Sequence, residues 1–288
     1  VNFSSNIIKM LNNPYSLNKN KKKILLKKNI IESIKFHKKK CAIYSDYLNK
    51  FSLLTKPIKS LDDIPFIPVS AFKEFDLLSV DKDKVFKTIV SSGTSSNSPS
   101  KIYLDKKNSL DQIKALYSIG SFDLGNKRLP MMIVDNEDTI KDSNHYSART
   151  AGTLGFSIFS SNRTFVLNKQ MNINNKSLIN FLKTNKNNKF IIFGFTYLIW
   201  IFFNNLLNTK YVNYFHNATI IHGGGWKKLY KLNISNEKFT ELIADKFNIK
   251  KTINYYGMVE QTGSIFMECD NGFFHTSDYN DIIIRNKN

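Results

Sequence analysis

The chain of 288 residues is long enough to bury one large core or two small ones. Its 42% hydrophobic and 13% aromatic content, with 23 Phe and 13 Tyr, excludes a disordered polypeptide. The net charge of +19 rests on Lys scattered among Asn and Ile, not on Arg forks interleaved with aromatics, so no nucleic-acid partner is expected; that reading has charge alone behind it.

The N-terminal stretch VNFSSNIIKML lacks the apolar region of a secretory signal. Residues up to about 60 read as helices with Lys-rich faces. The densest cluster is Lys19, Lys21, Lys22, Lys23, Lys27 and Lys28, followed by Lys38, Lys39 and Lys40. It reads as a solvated helix face or, more sharply, as a docking surface for an acidic partner. Residues 1–75 are expected to form a helical segment packed on an α/β core of residues 76–288. Pro65 and Pro68 push their predecessors towards extended backbone and make the connector rigid.

From residue 85 strands and helices alternate. Val85–Val90 and Lys101–Leu104 read as strands around a Ser-rich loop. Ser109 and Gln112 form a capping box for a helix carrying Leu110, Ile113 and Leu116. Leu129–Val134 reads as a strand ending in polar Asp135 and Asn136, and Leu178–Leu182 lies in a helix. Phe190–Phe203 is the longest apolar run, but it is shorter than the ~20 residues of a bilayer span, and Gly194 and Thr196 interrupt it. No membrane span is expected; the run reads as a buried strand leading into a buried helix. Thr219–Ile221 is a strand running into glycines, Ser235 caps a helix with Phe239, Leu242, Ile243 and Phe247, and Thr252–Tyr255 is a strand. This alternation implies an α/β fold, sheets flanked by helices. Cys41 and Cys269 fit neither a disulfide framework nor zinc spacing and suit a reducing cytoplasm; Cys269 reads as a buried thiol. The chain opens on Val1 and stops at Asp281–Asn288, just after what looks like a strand, which reads as a piece of a longer protein.

Three stretches carry chemistry. In VSSGTSSNSPSK, Ser91, Ser92, Gly93, Thr94 and Ser95 supply N–H and hydroxyl donors for an anion, with Lys101 close behind. It is no Walker loop, since it lacks G-K-[ST] and joins two strands. In IHGGGWK, Gly223, Gly224 and Gly225 leave bare backbone at a strand's carboxyl end, where α/β sheets gather ligands. In NYYGMVEQT, Tyr256 offers a ring for stacking, Gly257 a turn and Glu260 an oxygen ligand suited to Mg²⁺. Singly, each is also an ordinary turn.

Their combination and order resemble the AMP-forming, adenylate-forming ligase superfamily. The finer texture is similar to the acyl-protein synthetases of the LuxE type, on IPFIPVSAFK (64–73), Ser147-Ala-Arg149, Phe193-Gly-Phe-Thr196, HGGGWK (222–227) and YYGMVEQ (255–261). The resemblance implies the fold of the large N-terminal ligase domain, with ATP and Mg²⁺ as cofactors. It implies that residues 91–95 contact the β- and γ-phosphates, Gly223–Gly225 line the adenine, Tyr256 stacks on it and Glu260 holds the metal. Arg149, with His145 and Tyr146 in a polar segment before Gly152 and Gly155, would pair with an anion; Thr94, Glu260 and Arg149 form the catalytic set. Phe193, Phe195 and Trp200 would border an acyl pocket or simply pack the core.

Ser96 and Val259 depart from the family's usual Gly and Thr. The ribose-binding Asp and the small C-terminal domain with its catalytic Lys have no counterpart here, and Cys269 does not match the acyl-accepting cysteine of the branch. The implied reaction is attack of a fatty acid's carboxylate on the α-phosphorus of ATP, expelling pyrophosphate and giving an acyl-adenylate, from which the acyl group passes, with release of AMP, to a protein thiol on an acceptor such as a reductase or carrier. No general base is needed, because the carboxylate is ionised at neutral pH. The rival readings are an acyl- or aryl-CoA ligase of the phenylacetate type and an inactive remnant that binds a partner through its Lys-rich face.

Overall fold

The computed structural model describes residues 13–91, 99–141 and 146–286. It opens with helices α1 (Lys19–Lys40) and α2 (Ala42–Lys50), then a one-turn helix α3 (Ala71–Glu74) past the two prolines. The Asn18 side chain caps α1 by accepting from Lys21 N, and Lys38, Lys39 and Lys40 in its last turn complement the helix dipole. Ile34 of α1, Cys41, and Tyr44 and Leu48 of α2 bury a small apolar cluster of their own, closed by Ile58, Ile64 and Ile67.

A small sheet follows, in the order β2–β1–β4: β1 (Lys87–Val90), β2 (Lys101–Leu104) antiparallel to it, and β4 (Tyr146–Ser147) parallel. The larger sheet has seven strands among the described residues. Its parallel part runs β5 (Ser160–Phe165), β3 (Leu129–Ile133), β6 (Phe190–Phe195), β7 (Ala218–Gly223), β8 (Lys251–Gly257). The antiparallel strands β9 (Ile265–Glu268) and β10 (Phe274–His275) extend it beyond β8.

The period-two alternation of strand side chains builds two cores. Met131, Ile133, Ile191, Phe193 and Ile221 face one side, with helices α4 (Lys106–Leu124) and α5 (Ala148–Phe156). Met132, Val134, Ile192 and Ile220 face the other, with α6 (Asn175–Thr184), α7 (Thr196–Leu206) and α8 (Asn236–Phe247). Both faces of the central strands β3, β6 and β7 are thus covered, which is why they read as largely apolar runs. At ~1.5–3 kcal/mol per buried large apolar side chain, these two layers supply the main drive for folding.

Chain order matters for the site. The connection from β3 passes through α5 to β5 on one side of β3, whereas β6 and its successors lie on the other side. The crevice between the carboxyl ends of β3 and β6 is therefore a topological switch point, the usual ligand position in such sheets.

Four local expectations need correcting. Strand β1 begins at Lys87, not Val85. Helix α4 begins at Lys106 because Asp105 caps it, accepting from Asn108 N at 2.6 Å; Ser109 is buried inside the helix and caps nothing. Residues 281–286 have no strand partner among the described residues. Cys269 is half-buried, while Cys41 is buried. No helix among the described residues is long and apolar enough to cross a membrane.

Candidate active site at the carboxyl edge of the sheet

The register of the parallel strands fixes what meets at their carboxyl ends. Phe195 of β6, Gly223 of β7 and Tyr255 of β8 lie abreast. Two of the three glycines are required by packing. A Cβ on Gly223 would sit 2.6 Å from the Tyr255 carbonyl oxygen and ring, and one on Gly224, at φ +79°, would strike the Phe195 ring at 2.8 Å. Gly225 has nothing within 4 Å, so its backbone faces open space.

Beyond β8 the chain turns. Tyr256 is 50% exposed, its ring 6.0 Å from that of Phe266 and 6.3 Å from that of Phe274, and so can take a planar partner. Tyr255 points the other way, packed on Phe156 at 4.6 Å, and burial pushes its phenol pKa up. Gly152 of α5 admits the Tyr255 hydroxyl, which a Cβ there would meet at 3.0 Å. Glu260 lies in the turn, half-buried, with no hydrogen-bond or ion-pair partner among the described residues.

The Ser-rich loop reaches the same edge through its flanks. Val259, next to Glu260, packs against Ile89 of β1 and Ile102 and Leu104 of β2, together with Ala151 of α5. Strand β4 pairs Val90 with Ser147, whose hydroxyl caps α5 by accepting from Thr150 N at 3.0 Å. Ser91 closes the base of the loop: its N–H donates to Ser100 O at 3.0 Å and its Oγ accepts from Ser100 N at 2.8 Å. Ser92, Gly93, Thr94 and Ser95 lie outside the described residues, as does His145. Lys101 points away from the β2 core face and sits 3.6 Å from Asp76, exposed.

At the switch point, Arg149 makes a two-pronged ion pair with Asp135, just past β3. Asp135 also accepts from Thr139 Oγ1 at 2.7 Å and Asn136 N at 2.6 Å, so this buried carboxylate is fully satisfied. Burial opposes the charge on Arg149, but the bonds and attraction of Asp135 outweigh it and raise its pKa. The guanidinium expected to pair with a ligand anion is thus already engaged by the protein. Arg149 and Tyr197 open onto an apolar pocket of about 210 Å³ with Met171, Ile201 and Phe202. Phe193 is core; Trp200 packs edge-on against Trp226.

Sequence reasoning gave no role to His222 or Asp135. His222 is buried beside Gly223, its Nδ1 3.0 Å from Thr196 Oγ1, and burial lowers its pKa to about 3. A carboxylate placed directly after an apolar strand was the available signal for Asp135. Among the described residues no group of three or more His, Cys, Asp and Glu side chains is placed to hold a metal. A Mg²⁺ ion at Glu260 would therefore take its other ligands from phosphates and water, its common habit.

A glycine-bared strand end, a carboxylate unpaired among the described residues and a small sheet whose strands flank the Ser-rich stretch thus stand on one α/β fold, and that fold is similar to a solved ligase's. The solved structure of a 2-hydroxyisobutyryl-CoA ligase, in complex with 2-HIB-AMP and CoA in the thioesterification state, superposes with a TM-score of 0.65 at 13% identity. The match covers 90% of this chain and 54% of that one, so the chain spans about half the length of that ligase. No curated protein matches the sequence. The family model "Acyl-protein synthetase, LuxE" matches residues 3–288, and the chain belongs to that family.

Proposed function

We propose that the chain carries the ATP-dependent half of an acid–thiol ligase, activating a carboxylic acid as its acyl-adenylate. The observation that carries this is the meeting of three turns on one sheet edge: the Ser91–Ser100 loop base, Gly223–Gly225 and Tyr256–Glu260. In this reading Gly224 and Gly225 backbone lies along the adenine and the exposed Tyr256 ring stacks on it. Ser91, with Ser92, Gly93, Thr94 and Ser95, cradles the β- and γ-phosphates, and Lys101 adds charge behind the loop. The free Glu260 carboxylate holds Mg²⁺, which neutralises phosphate oxygens when bound. Arg149 keeps the switch-point crevice in shape through Asp135.

Attack joins two anions, so the chain's task is to hold them in line and to surround the phosphates with N–H donors. The acyl group then passes to a thiol. The family's description, an acyl-protein synthetase, supports a protein thiol as acceptor; in this reading the acid is a fatty acid, ATP and Mg²⁺ are the cofactors, and the reaction runs in the cytoplasm. The structural neighbour, a CoA ligase, favours a second reading in which CoA is the acceptor.

Exchange of labelled pyrophosphate into ATP, measured against a panel of carboxylic acids, tests the first step. Acid-stimulated exchange is expected, with fatty acids most effective. Glu260→Gln should cut it by ~10–100-fold while unfolding stays unchanged, as for loss of a metal-site carboxylate. Unaltered exchange in that variant removes Glu260 from the metal site. A thioester formed with CoA but not with protein decides for the second reading.

A further inference from the structure

A cavity of about 920 Å³ lies apart from the carboxyl edge, between α1, residues 59–62 and residues 276–283. Five lysines are among its lining residues: Lys19, Lys22, Lys23, Lys27 and Lys59. Among the described residues none of the five is ion-paired to a carboxylate. Lys22 is buried and donates to Thr276 Oγ1 at 2.7 Å; Lys27 donates to the Lys59 carbonyl at 2.9 Å.

Three carboxylates share the lining, Asp62, Asp278 and Asp281, and they leave the excess positive. Asp278 is buried and spent on the backbone: it accepts from Ser16 N at 3.0 Å and Leu17 N at 3.1 Å, and from Ser16 Oγ at 3.1 Å. Asp281 accepts from Ile282 N at 2.9 Å. Like charges gathered round one space repel, and an anionic occupant relieves them.

The walls narrow the choice of anion. Ile24 is 67% and Ile282 57% exposed, and Ile283 lies beside them. Apolar surface interleaved with ammonium groups gives a small free anion nothing to cover. Nucleic acid is served by Arg forks and aromatic platforms, and a lipid surface is too flat to enter a concavity. We propose that this groove docks an acidic, amphipathic polypeptide segment. Its carboxylates meet Lys19, Lys23, Lys27 and Lys59, and its apolar side chains cover Ile24, Ile282 and Ile283. The docking site is independent of the adenylation reading.

The test is fluorescence anisotropy with a labelled synthetic peptide of alternating Glu and Leu residues. Binding is expected to weaken with added salt. The variant Lys19→Glu/Lys23→Glu/Lys27→Glu should lose about tenfold or more in affinity. Lys38→Glu/Lys39→Glu/Lys40→Glu, the same charge change at the far end of α1, should lose less than about twofold. Equal losses would overturn the proposal, since they report net charge only. So would competition by inorganic phosphate, or by phosphatidylserine vesicles, as effective as that by unlabelled peptide. Should the groove triple variant misfold by circular dichroism, the exposed Ile24→Asp replaces it: weaker peptide binding supports the groove, and unchanged binding rejects it. Pyrophosphate exchange by these variants stays at the parent level, which separates this site from the ligase edge.

Discussion

His222 is 1% exposed, with one ring nitrogen on Thr196 and Nε2 unpartnered among the described residues. An imidazolium there would lose its hydration without a counter-charge, so burial holds its pKa down at about 3. The sign of the consequence is definite. Below about pH 6.5 the unfolded chain takes up a proton at this position and the folded chain does not, so stability falls as pH falls. This group contributes a slope of up to ~1.4 kcal/mol per pH unit between about pH 6.5 and the folded value, and none above. His222→Leu should flatten the fall in melting temperature from neutral to mildly acid pH. A parallel curve for the two proteins would mean that other groups set the slope. Glu260 is the opposite residue: half-buried and without a hydrogen-bond or ion-pair partner among the described residues, so Glu260→Gln is expected to leave the urea-unfolding midpoint unchanged. The type of both residues is plain in the sequence. Their roles are not, because the contrast between a satisfied carboxylate at Asp135 and a free one at Glu260 exists only between elements distant in the chain.

At the scale of elements, the glycine run shows two kinds of requirement. Gly223→Ala should cost ~1–3 kcal/mol in urea unfolding, because its Cβ would press on the Tyr255 backbone and part β7 from β8. Gly225→Ala, facing open space, should stay within ~0.5 kcal/mol. Equal costs would show that strand packing is not what selects glycine at 223. The β6–α7 passage, β3 and α8 were readable in sequence, because an apolar run ended by a turn or a Ser cap is a local signal. Strand β5 was not: Ser160–Phe165 is an edge strand with three exposed residues and no apolar alternation. Helix α5 was missed because Gly152 and Gly155 have poor helix propensity. They are there so that Tyr255 and Leu116 can approach.

Over the whole molecule, the N-terminal segment is tied to the far end of the chain. Asp278 holds Ser16 and Leu17, and its own N–H donates to the Pro14 carbonyl at 2.6 Å. Tyr15 packs edge-on against Phe122 at 4.9 Å, and burial with the nearby Asp123 and Asp278 pushes its pKa up to about 12. Asp278→Ala strands those backbone donors and should cost ~1–3 kcal/mol. Limited proteolysis should then cut near residues 13–19 well before the core. Cutting no faster than in the parent protein would show that α1 is held chiefly by its apolar contacts. The lysine groove depends on the same tie, since residues 276–283 form one of its walls.

The sequence by itself determined the α/β class, most strand and helix positions, the residue types of the three turns and the family, because these follow from local periodicity, capping and residue type. It could not say that Arg149 is ion-paired to Asp135, that Tyr255 packs against the core while Tyr256 is exposed, or that five lysines line one cavity. Those outcomes depend on strand order and register, which bring Val90 to Ser147, Gly223 to Tyr255 and Leu17 to Asp278. Contacts of that separation are decided by how two cores close over a sheet, and no local pattern encodes them.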